Sequence, residues 1–171
     1  ITHWGMSGPA ILKLSAWGAR LLEPTNYHFI IKVNWLQYLS TEDVLEQLQV
    51  LKRQNPKQTL QKYAQFDLPK RLWQSLLNAS DISATQIWAD ITKKQLATIS
   101  EALTGSTFKV EGKSTFKEEF VTAGGVQLKE VNFKTFESKL HSNLYFAGEV
   151  LNIDAITGGF NFQNAWTGGY M

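Results

Sequence analysis

The sequence predicts an α+β fold in which a helical insert interrupts a sheet-forming domain. Residues 26–33 alternate apolar and polar side chains, as a half-buried strand does. Residues 41–105 carry helix start signals and apolar residues at helical spacing. Strand-like alternation returns from residue 107 onward, so strands flank the helical segment on both sides.

The first predicted helix begins near Pro9, which suits the first helical position, with Ser7 as the expected N-cap. Apolar residues recur at helical spacing up to Leu21, and Pro24 ends the helix. The strand that follows places its best β-formers on one face: Tyr27, Phe29, Ile31 and Val33.

Within the insert, two capping boxes, Ser40 to Asp43 and Thr92 to Gln95, each predict a helix start. The spacing also predicts a short helix over 59–65, a helix that opens at Pro69, and one or two turns over 85–90. Gly105 is expected just past the last helix. The tryptophans after residue 4 lie at helical spacing and are expected in the core: Trp17, Trp35, Trp73, Trp88 and Trp166.

After the insert, strands are expected over 107–111, 116–123 and 126–131. The apolar run Leu144 to Ala147 predicts a buried strand. A helix is expected to start after Gly159 and to reach Tyr170. Because the chain does not begin with Met and this last helix is short, we expect a fragment of a longer protein.

Composition excludes several classes of function. The formal net charge is +2 over 171 residues, with no basic block, so we expect a small-molecule substrate and no nucleic acid. There is no cysteine, which excludes disulfides and thiolate chemistry and fits the cytoplasm. No apolar run is long enough to span a membrane, and we expect no signal peptide. The three histidines, His3, His28 and His141, are too far apart for a metal site.

The most informative stretch is 144–170, where a strand, an acidic turn, paired glycines and a helix follow each other. This order is typical of a dinucleotide site, because glycines admit a ligand to the backbone and a helix N-terminus offers free N–H groups. Gly148 and Glu149 would either meet the ribose or ribityl hydroxyls or form a solvated acidic turn. Asp154 and the pair Gly158-Gly159 have a second interpretation, an acidic loop and an ordinary turn.

Two further motifs have a functional and a structural interpretation. Gly124-Gly125, after Thr122, either admits a flat ring against the backbone or forms a simple turn. His3 is either an acid–base group or a structural histidine beside a tryptophan. There is no Gly-x-Ser-x-Gly elbow and no Walker loop.

Several motifs together carry a more specific signal. They occur from one end of the chain to the other: Thr2-His-x-Gly-x-Ser-Gly-Pro-Ala10, Val121-Thr-Ala-Gly-Gly-Val126, Glu130-Val-Asn132, Glu137-Ser-Lys139, Tyr145-Phe-Ala-Gly-Glu-Val-Leu151 and Thr157-Gly-Gly-Phe-Asn-Phe-Gln163. In these motifs the chain resembles the bacterial NAD(FAD)-utilising dehydrogenase-like flavoproteins, also called the aminoacetone oxidase family of FAD-binding enzymes.

The resemblance implies three parts: a split β-barrel-like domain (1–40 and 106–123), a small all-helical insert (41–105), and the C-terminal piece of an FAD-binding Rossmann-like domain (124–171). It implies FAD as cofactor and NAD(P)H as reductant of a full-length oxidoreductase, with these residues alone inactive. The implied FAD-binding residues are Gly148, Glu149, Asp154, Gly158, Gly159, Phe160 and Asn161. His3 and Thr122 are candidates on the substrate side, and the catalytic residues stay unassigned.

A second interpretation belongs to a different class of protein. In it, the helical insert is a non-catalytic module that binds another protein. An exposed apolar patch around Trp73 and Trp88 would support this interpretation, whereas burial of both side chains would oppose it.

Overall fold

The computed structural model describes Thr2 and residues 5–114 and 121–171 of the chain. It is a mixed α/β structure. Its helices and strands, in chain order, are α1 Pro9–Leu22, β1 His28–Val33, α2 Thr41–Gln54, α3 Lys70–Ala79, α4 Lys93–Gly105, β2 Ser106–Glu111, β3 Val131–Asn132, β4 Glu137–Ser138 and α5 Phe160–Tyr170. In the described residues the strands form two separate two-stranded sheets, β1–β2 and β3–β4, and close no barrel.

The chain divides into two compact units, residues 30–110 and residues 1–29 with 111–171. The first, here called the helical unit, has a core from all three of its helices. Its largest fully buried side chains include Trp73, Trp88, Leu48 and Leu77. The Trp73 indole N–H donates to the Leu60 carbonyl at 2.8 Å, so burial leaves no unpaired indole N–H.

Both predicted capping boxes are present. The Ser40 hydroxyl accepts from the Asp43 N–H at 3.1 Å, and the Asp43 carboxylate accepts from the Ser40 N–H at 3.1 Å. The Thr92 and Gln95 pair repeats this at the start of α4, with bonds of 3.1 Å and 2.9 Å. These local bonds fix both helix starts, which explains why the sequence predicts them well.

Two predictions in the helical unit are wrong. Residues 59–65 form no helix, because their backbone bonds run to residues 84–87: Leu60 N–H donates to Gln86 O at 2.9 Å, and Thr59 forms an isolated antiparallel bridge with Ile87. Gly105 is the last residue of α4 rather than the residue after it. A Cβ at Gly105 would meet only the end of the flexible Lys32 side chain, which can move aside, so packing does not require a glycine here.

In the other unit, α1 begins at Pro9 as predicted, but its N-cap is Gly8, at φ 108°, and not Ser7. No side chain caps this helix. Of the strand expected over 116–123, residues 116–120 lie outside the described residues, and residues 121–123 are not a strand. The strand expected over 126–131 is also wrong: a 3-10 turn, Leu128–Glu130, precedes the two-residue β3.

A small core lies beneath α5. β3 pairs antiparallel with β4, with Val131 opposite Ser138. The buried side chains of this small core are Val131, Phe136 and Leu151. The predicted buried strand at 144–147 is wrong. Tyr145 forms a single antiparallel bridge with Glu137, and its side chain is 59% exposed.

The tryptophan side chains differ in burial between the two units. Trp73 and Trp88 are buried as expected, whereas Trp17 and Trp166 are 72% and 69% exposed, so the prediction of a core position is wrong for both. Helical spacing identifies an apolar face but does not show whether that face has a partner. No helix among the described residues has the length and apolar character needed to cross a membrane.

Candidate functional site

The C-terminal stretch contains the predicted helix and glycines. α5 begins at Phe160, and Gly159 is its N-cap in the left-handed conformation at φ 86°. Gly158 has φ 152°, so both glycines hold backbone conformations that side chains disfavour. The glycine pair therefore turns the chain sharply into the helix.

The N-terminus of α5 is open. No side chain caps it, and its first intrahelical bond is from Gln163 N–H to Gly159 O, at 2.9 Å. The N–H groups of the first turn consequently have no partner within the helix. Gly158, Gly159 and Phe160 are exposed. Free N–H donors at the positive end of a helix suit a carbonyl oxygen or an anion.

Asn161 has a role that the sequence did not reveal. Its side-chain oxygen accepts from Ala155 N–H and its side-chain nitrogen donates to Ala155 O, each at 2.9 Å. The side chain thus fastens the loop before the glycines to the first turn of α5. With its polar atoms engaged in this way, Asn161 would contact a ligand through its backbone N–H.

Asp154 lies beside this fastened loop and has a partner on another helix. The Arg20 guanidinium, in the last turn of α1, donates to Asp154 Oδ1 at 3.3 Å and also to Asn152 Oδ1. Sequence reasoning missed Arg20 because 134 positions separate it from Asp154. The only local signal was a lone basic residue at the end of α1.

Gly148 opens a single 3-10 turn, Gly148–Val150, after an extended Ala147. Its φ is 80°, and a Cβ there would lie 3.7 Å from Ala165 Cβ on α5. The structure therefore brings Gly148 to α5, and the glycine is required by its backbone conformation more than by space. Glu149 is exposed within the same turn.

In the Gly124-Gly125 pair, backbone packing explains the second glycine, Gly125. Gly125 has φ 126°, and a Cβ there would collide with Val150 O and lie 2.8 Å from Leu151 C. Val126 N–H donates to Val150 O at 2.8 Å in a parallel bridge that also involves Leu151. Close approach of these two segments accounts for Gly125 without a bound ring.

The substrate-side candidates are less well placed. His3 lies outside the described residues. Thr122 is exposed and belongs to no strand. The structure therefore brings together the glycines, Asp154 and Asn161 around α5, and leaves the catalytic groups unassigned.

A shallow groove of about 460 Å³ lies on the helical unit. Its lining includes two carboxylates, Glu46 and Asp67, and the apolar Val50, Leu51 and Phe66. None of the predicted cofactor-binding residues lines it. Carboxylates repel the phosphates of a dinucleotide, so this groove is not the predicted cofactor site.

The chain matches a protein-family model. The model described as the HI0933-like protein barrel and H2TH domain matches residues 1–121. The glycines and helix at 148–170 lie beyond this match. The family model therefore covers the helical unit and not the candidate cofactor segment.

Curated relatives are similar over nearly the whole chain. It is 32% identical over 169 residues to the ribosomal RNA dihydrouridine synthase of Haemophilus influenzae, covering 99% of this chain and 39% of that protein. The protein of the same name from Escherichia coli is 31% identical over 166 residues, covering 97% and 39%. The 3-dehydro-bile acid delta(4,6)-reductase of Clostridium scindens is 29% identical over 171 residues, covering 100% and 42%. The chain spans about two fifths of the length of these relatives.

Proposed function

The chain belongs to the family of the HI0933-like barrel and H2TH domain, and from this membership we propose that the whole protein is an FAD-dependent oxidoreductase reduced by NAD(P)H. The finer assignment, to the aminoacetone oxidase family, rests on the order of motifs along the chain. The observation that carries the proposal is the open N-terminus of α5, with Gly158-Gly159 before it and no side-chain cap. When bound, FAD supplies the hydride chemistry.

The residues around α5 fit such a cofactor. The N–H groups of its first turn can donate to a carbonyl or anionic edge. The positive end of the helix stabilises negative charge there, by about 1 kcal/mol when water is excluded. Because Gly148 and Gly159 have no side chains, a cofactor can approach the backbone at both positions. Glu149, exposed in its turn, can accept from the hydroxyl groups of a ribityl or ribose chain.

The remaining residues position the site. Arg20 holds the carboxylate of Asp154 from α1, and Asn161 fastens the loop at Ala155. Both restrain the segment that leads into Gly158-Gly159. A restrained loop would lose little conformational freedom when a cofactor binds, which favours binding. His3 and Thr122 stay proposals for the substrate side.

The reaction class follows from the chemistry that the relatives' names share. A dihydrouridine synthase forms a base with two more hydrogens than uracil, and a delta(4,6)-reductase acts on double bonds conjugated with a 3-oxo group. In both, a hydride and a proton add across a carbon–carbon double bond conjugated with a carbonyl. We propose the same reaction class for this protein.

Two substrate classes agree with that chemistry. A small enone is supported by the bile-acid reductase and by the nearly neutral composition. A uracil base in RNA is supported by the two synthases. Turnover of the purified protein with a 3-oxo-delta(4,6) steroid and with unmodified ribosomal RNA separates these two candidates.

The alternative, a helical unit that binds another protein, depended on an exposed apolar patch around Trp73 and Trp88, and this patch is absent. Trp73 is fully buried, and Trp88 is 2% exposed. Neither side chain contributes to an exposed apolar patch, so the helical unit offers no such docking surface at these positions.

The test uses the full-length protein. We expect it to carry flavin absorption in the visible spectrum, and we expect NADH or NADPH to bleach that absorption without oxygen. Added enone substrate should then restore the oxidised spectrum. A colourless protein that takes up no FAD on reconstitution would contradict the proposal.

A further inference from the structure

Five basic side chains gather at one end of the helical unit, here called the basic end: Lys52, Arg53, Lys57, Lys93 and Lys94. They come from the end of α2, the loop after it and the start of α4. The two helices run in opposite directions, because the hydroxyl of Thr41 at the start of α2 lies 2.8 Å from that of Thr104 near the end of α4. The end of α2 is therefore near the start of α4.

Direct contacts hold these segments together. The Lys52 ammonium donates to Ile91 O at 2.5 Å. Ala89 N–H donates to Pro56 O at 2.9 Å in the loop after α2. These bonds place the end of α2 and the loop after it against the residues that lead into α4. The basic end is thus created by the fold, since its two halves are about 40 residues apart in the sequence.

The charges of the basic end are open to solvent. All of its members except Lys52 are exposed. None of these five side chains forms an ion pair with another described residue, and the Arg20–Asp154 ion pair lies outside the helical unit. Asp90 is the single acidic residue in 52–57 and 88–94. The basic end therefore carries a clear excess of positive charge.

Helix stability does not explain the position of two of these lysines. Lys93 and Lys94 begin α4, whose first turn contains no acidic residue. The positive end of the helix dipole disfavours cations at this place. Bound phosphate groups would reverse this repulsion, because they neutralise both the lysines and the helix end.

We propose that the basic end binds the phosphate backbone of RNA. Several exposed cations without carboxylate partners are the electrostatic pattern of a nucleic-acid contact. Trp88 and Ile91, in the segment that leads into α4, are 2% and 1% exposed. Neither ring nor aliphatic side chain at these two positions can stack on a base, so we expect the surface to contact the phosphate backbone without selecting a sequence.

The same burial argues against a membrane as the partner. Stable attachment to a lipid surface combines basic residues with apolar side chains that enter the bilayer. Trp88 and Ile91 cannot serve as such an anchor, because both face the core. Two relatives carry names that specify ribosomal RNA, which makes RNA the anion that fits best.

This inference replaces the expectation that nucleic acid is not a partner. That expectation used the net charge of the whole chain and could not see charges that folding brings together. The inference rests on the proposed function in that RNA would bring the base to be reduced. The test of RNA binding requires no turnover. The RNA-binding proposal and the proposed function can therefore fail separately.

The experiment compares two double charge reversals in the full-length protein. Lys93→Glu with Lys94→Glu alters the basic end. Lys129→Glu with Lys134→Glu makes the same change in charge at exposed lysines of the other unit. Binding to a fluorescent ribosomal RNA hairpin is measured against salt concentration, and melting temperature and flavin absorption verify that each variant is folded.

We expect the basic-end variant to bind RNA about tenfold more weakly or worse, and its salt dependence to fall by about one to two units of slope. The control variant should bind as the unaltered protein does. Equal losses in both variants would show a general charge effect and overturn the proposal. So would absence of RNA binding, or stronger binding to phosphatidylserine vesicles than to RNA. A colourless protein that still binds RNA through the basic end would contradict only the proposed function.

Discussion

Two helices of the helical unit, α2 and α4, begin differently from the helix α5. α2 and α4 start with capping boxes that use side-chain and backbone donors within four residues. α5 starts after Gly159, with no side-chain cap. A capping box satisfies some of the backbone donors at the helix start, whereas the uncapped start of α5 leaves its donors for another molecule.

The side chains show the same difference. In the helical unit the tryptophans Trp73 and Trp88 are buried, and the Trp73 N–H has a backbone partner. On α5, Phe162 and Trp166 are 67% and 69% exposed and lie ring to ring, with centroids 5.9 Å apart. Burial of apolar area and satisfied polar groups stabilise a unit by itself, whereas exposed aromatic side chains and free donors are typical of a surface with a partner.

Trp73→Ala should have the largest effect on stability. It removes a fully buried indole and leaves the Leu60 carbonyl without its donor, so we expect a loss of about 4 kcal/mol. Denaturant unfolding followed by circular dichroism measures this loss. Trp17→Ala, at a 72% exposed side chain, is the control and should change stability by less than about 0.5 kcal/mol. Similar losses for both substitutions would show that α1 and the helical unit do not differ as described.

Gly125→Ala tests the close approach in the other unit. The new Cβ would meet backbone atoms of Val150 and Leu151, so we expect a loss of more than about 1 kcal/mol. Gly124→Ala is matched to it, because Gly124 also has a positive φ, 119°, but no atom within 4 Å of a Cβ. The difference between the two melting temperatures isolates the collision, and equal melting temperatures would count against it.

Ser40→Ala should have a smaller effect, about 1 kcal/mol, through loss of the helix cap. Its effect should depend on pH. Hydrogen bonds from the Ser40 hydroxyl and N–H lower the pKa of Asp43 below its ordinary value of 3.8. A lowered pKa in the folded state stabilises the fold above the ordinary pKa, and this contribution disappears as pH falls through the folded value.

Thr92→Ala is the control for that pH dependence. It removes the same kind of cap, but its partner Gln95 does not titrate. We expect the effect of Ser40→Ala to shrink in acid and that of Thr92→Ala to stay constant. NMR titration of Asp43 in the Ser40→Ala variant should show its pKa closer to the ordinary value; an unchanged pKa would exclude the Ser40 bonds as the cause.

The sequence predicts features that depend on neighbouring residues and misses those that depend on distant ones. The capping boxes at Ser40 and Thr92 and the glycine turn into α5 are local, and all are confirmed. Residues 59–65 were expected to be helical because their pairing with residues 84–87 is not visible in local spacing. The Arg20 to Asp154 contact was missed for the same reason.

Exposure was the other source of error. Trp17, Trp166 and Tyr145 have the apolar character of core residues, yet each is more than half exposed. Hydrophobic spacing reports that a face is apolar, and only the structure shows which faces have a partner. The predicted cofactor residues could be placed near α5 from the order of glycines, whereas the roles of Asn161 and Arg20 required the folded chain.

The central claim is that the open N-terminus of α5 binds flavin, and Gly159→Val in the full-length protein tests it most directly. Gly159 is left-handed at φ 86°, so valine would disturb the turn and place a branched side chain at the exposed helix start. Gly169→Ala, at a glycine inside α5 with no atom within 4 Å of a Cβ, is the control. We predict that the purified Gly159→Val protein retains less than about a tenth of the flavin per chain, corresponding to more than about 1.4 kcal/mol, while the Gly169→Ala protein retains all of it. Full flavin content in a folded Gly159→Val protein would contradict the claim.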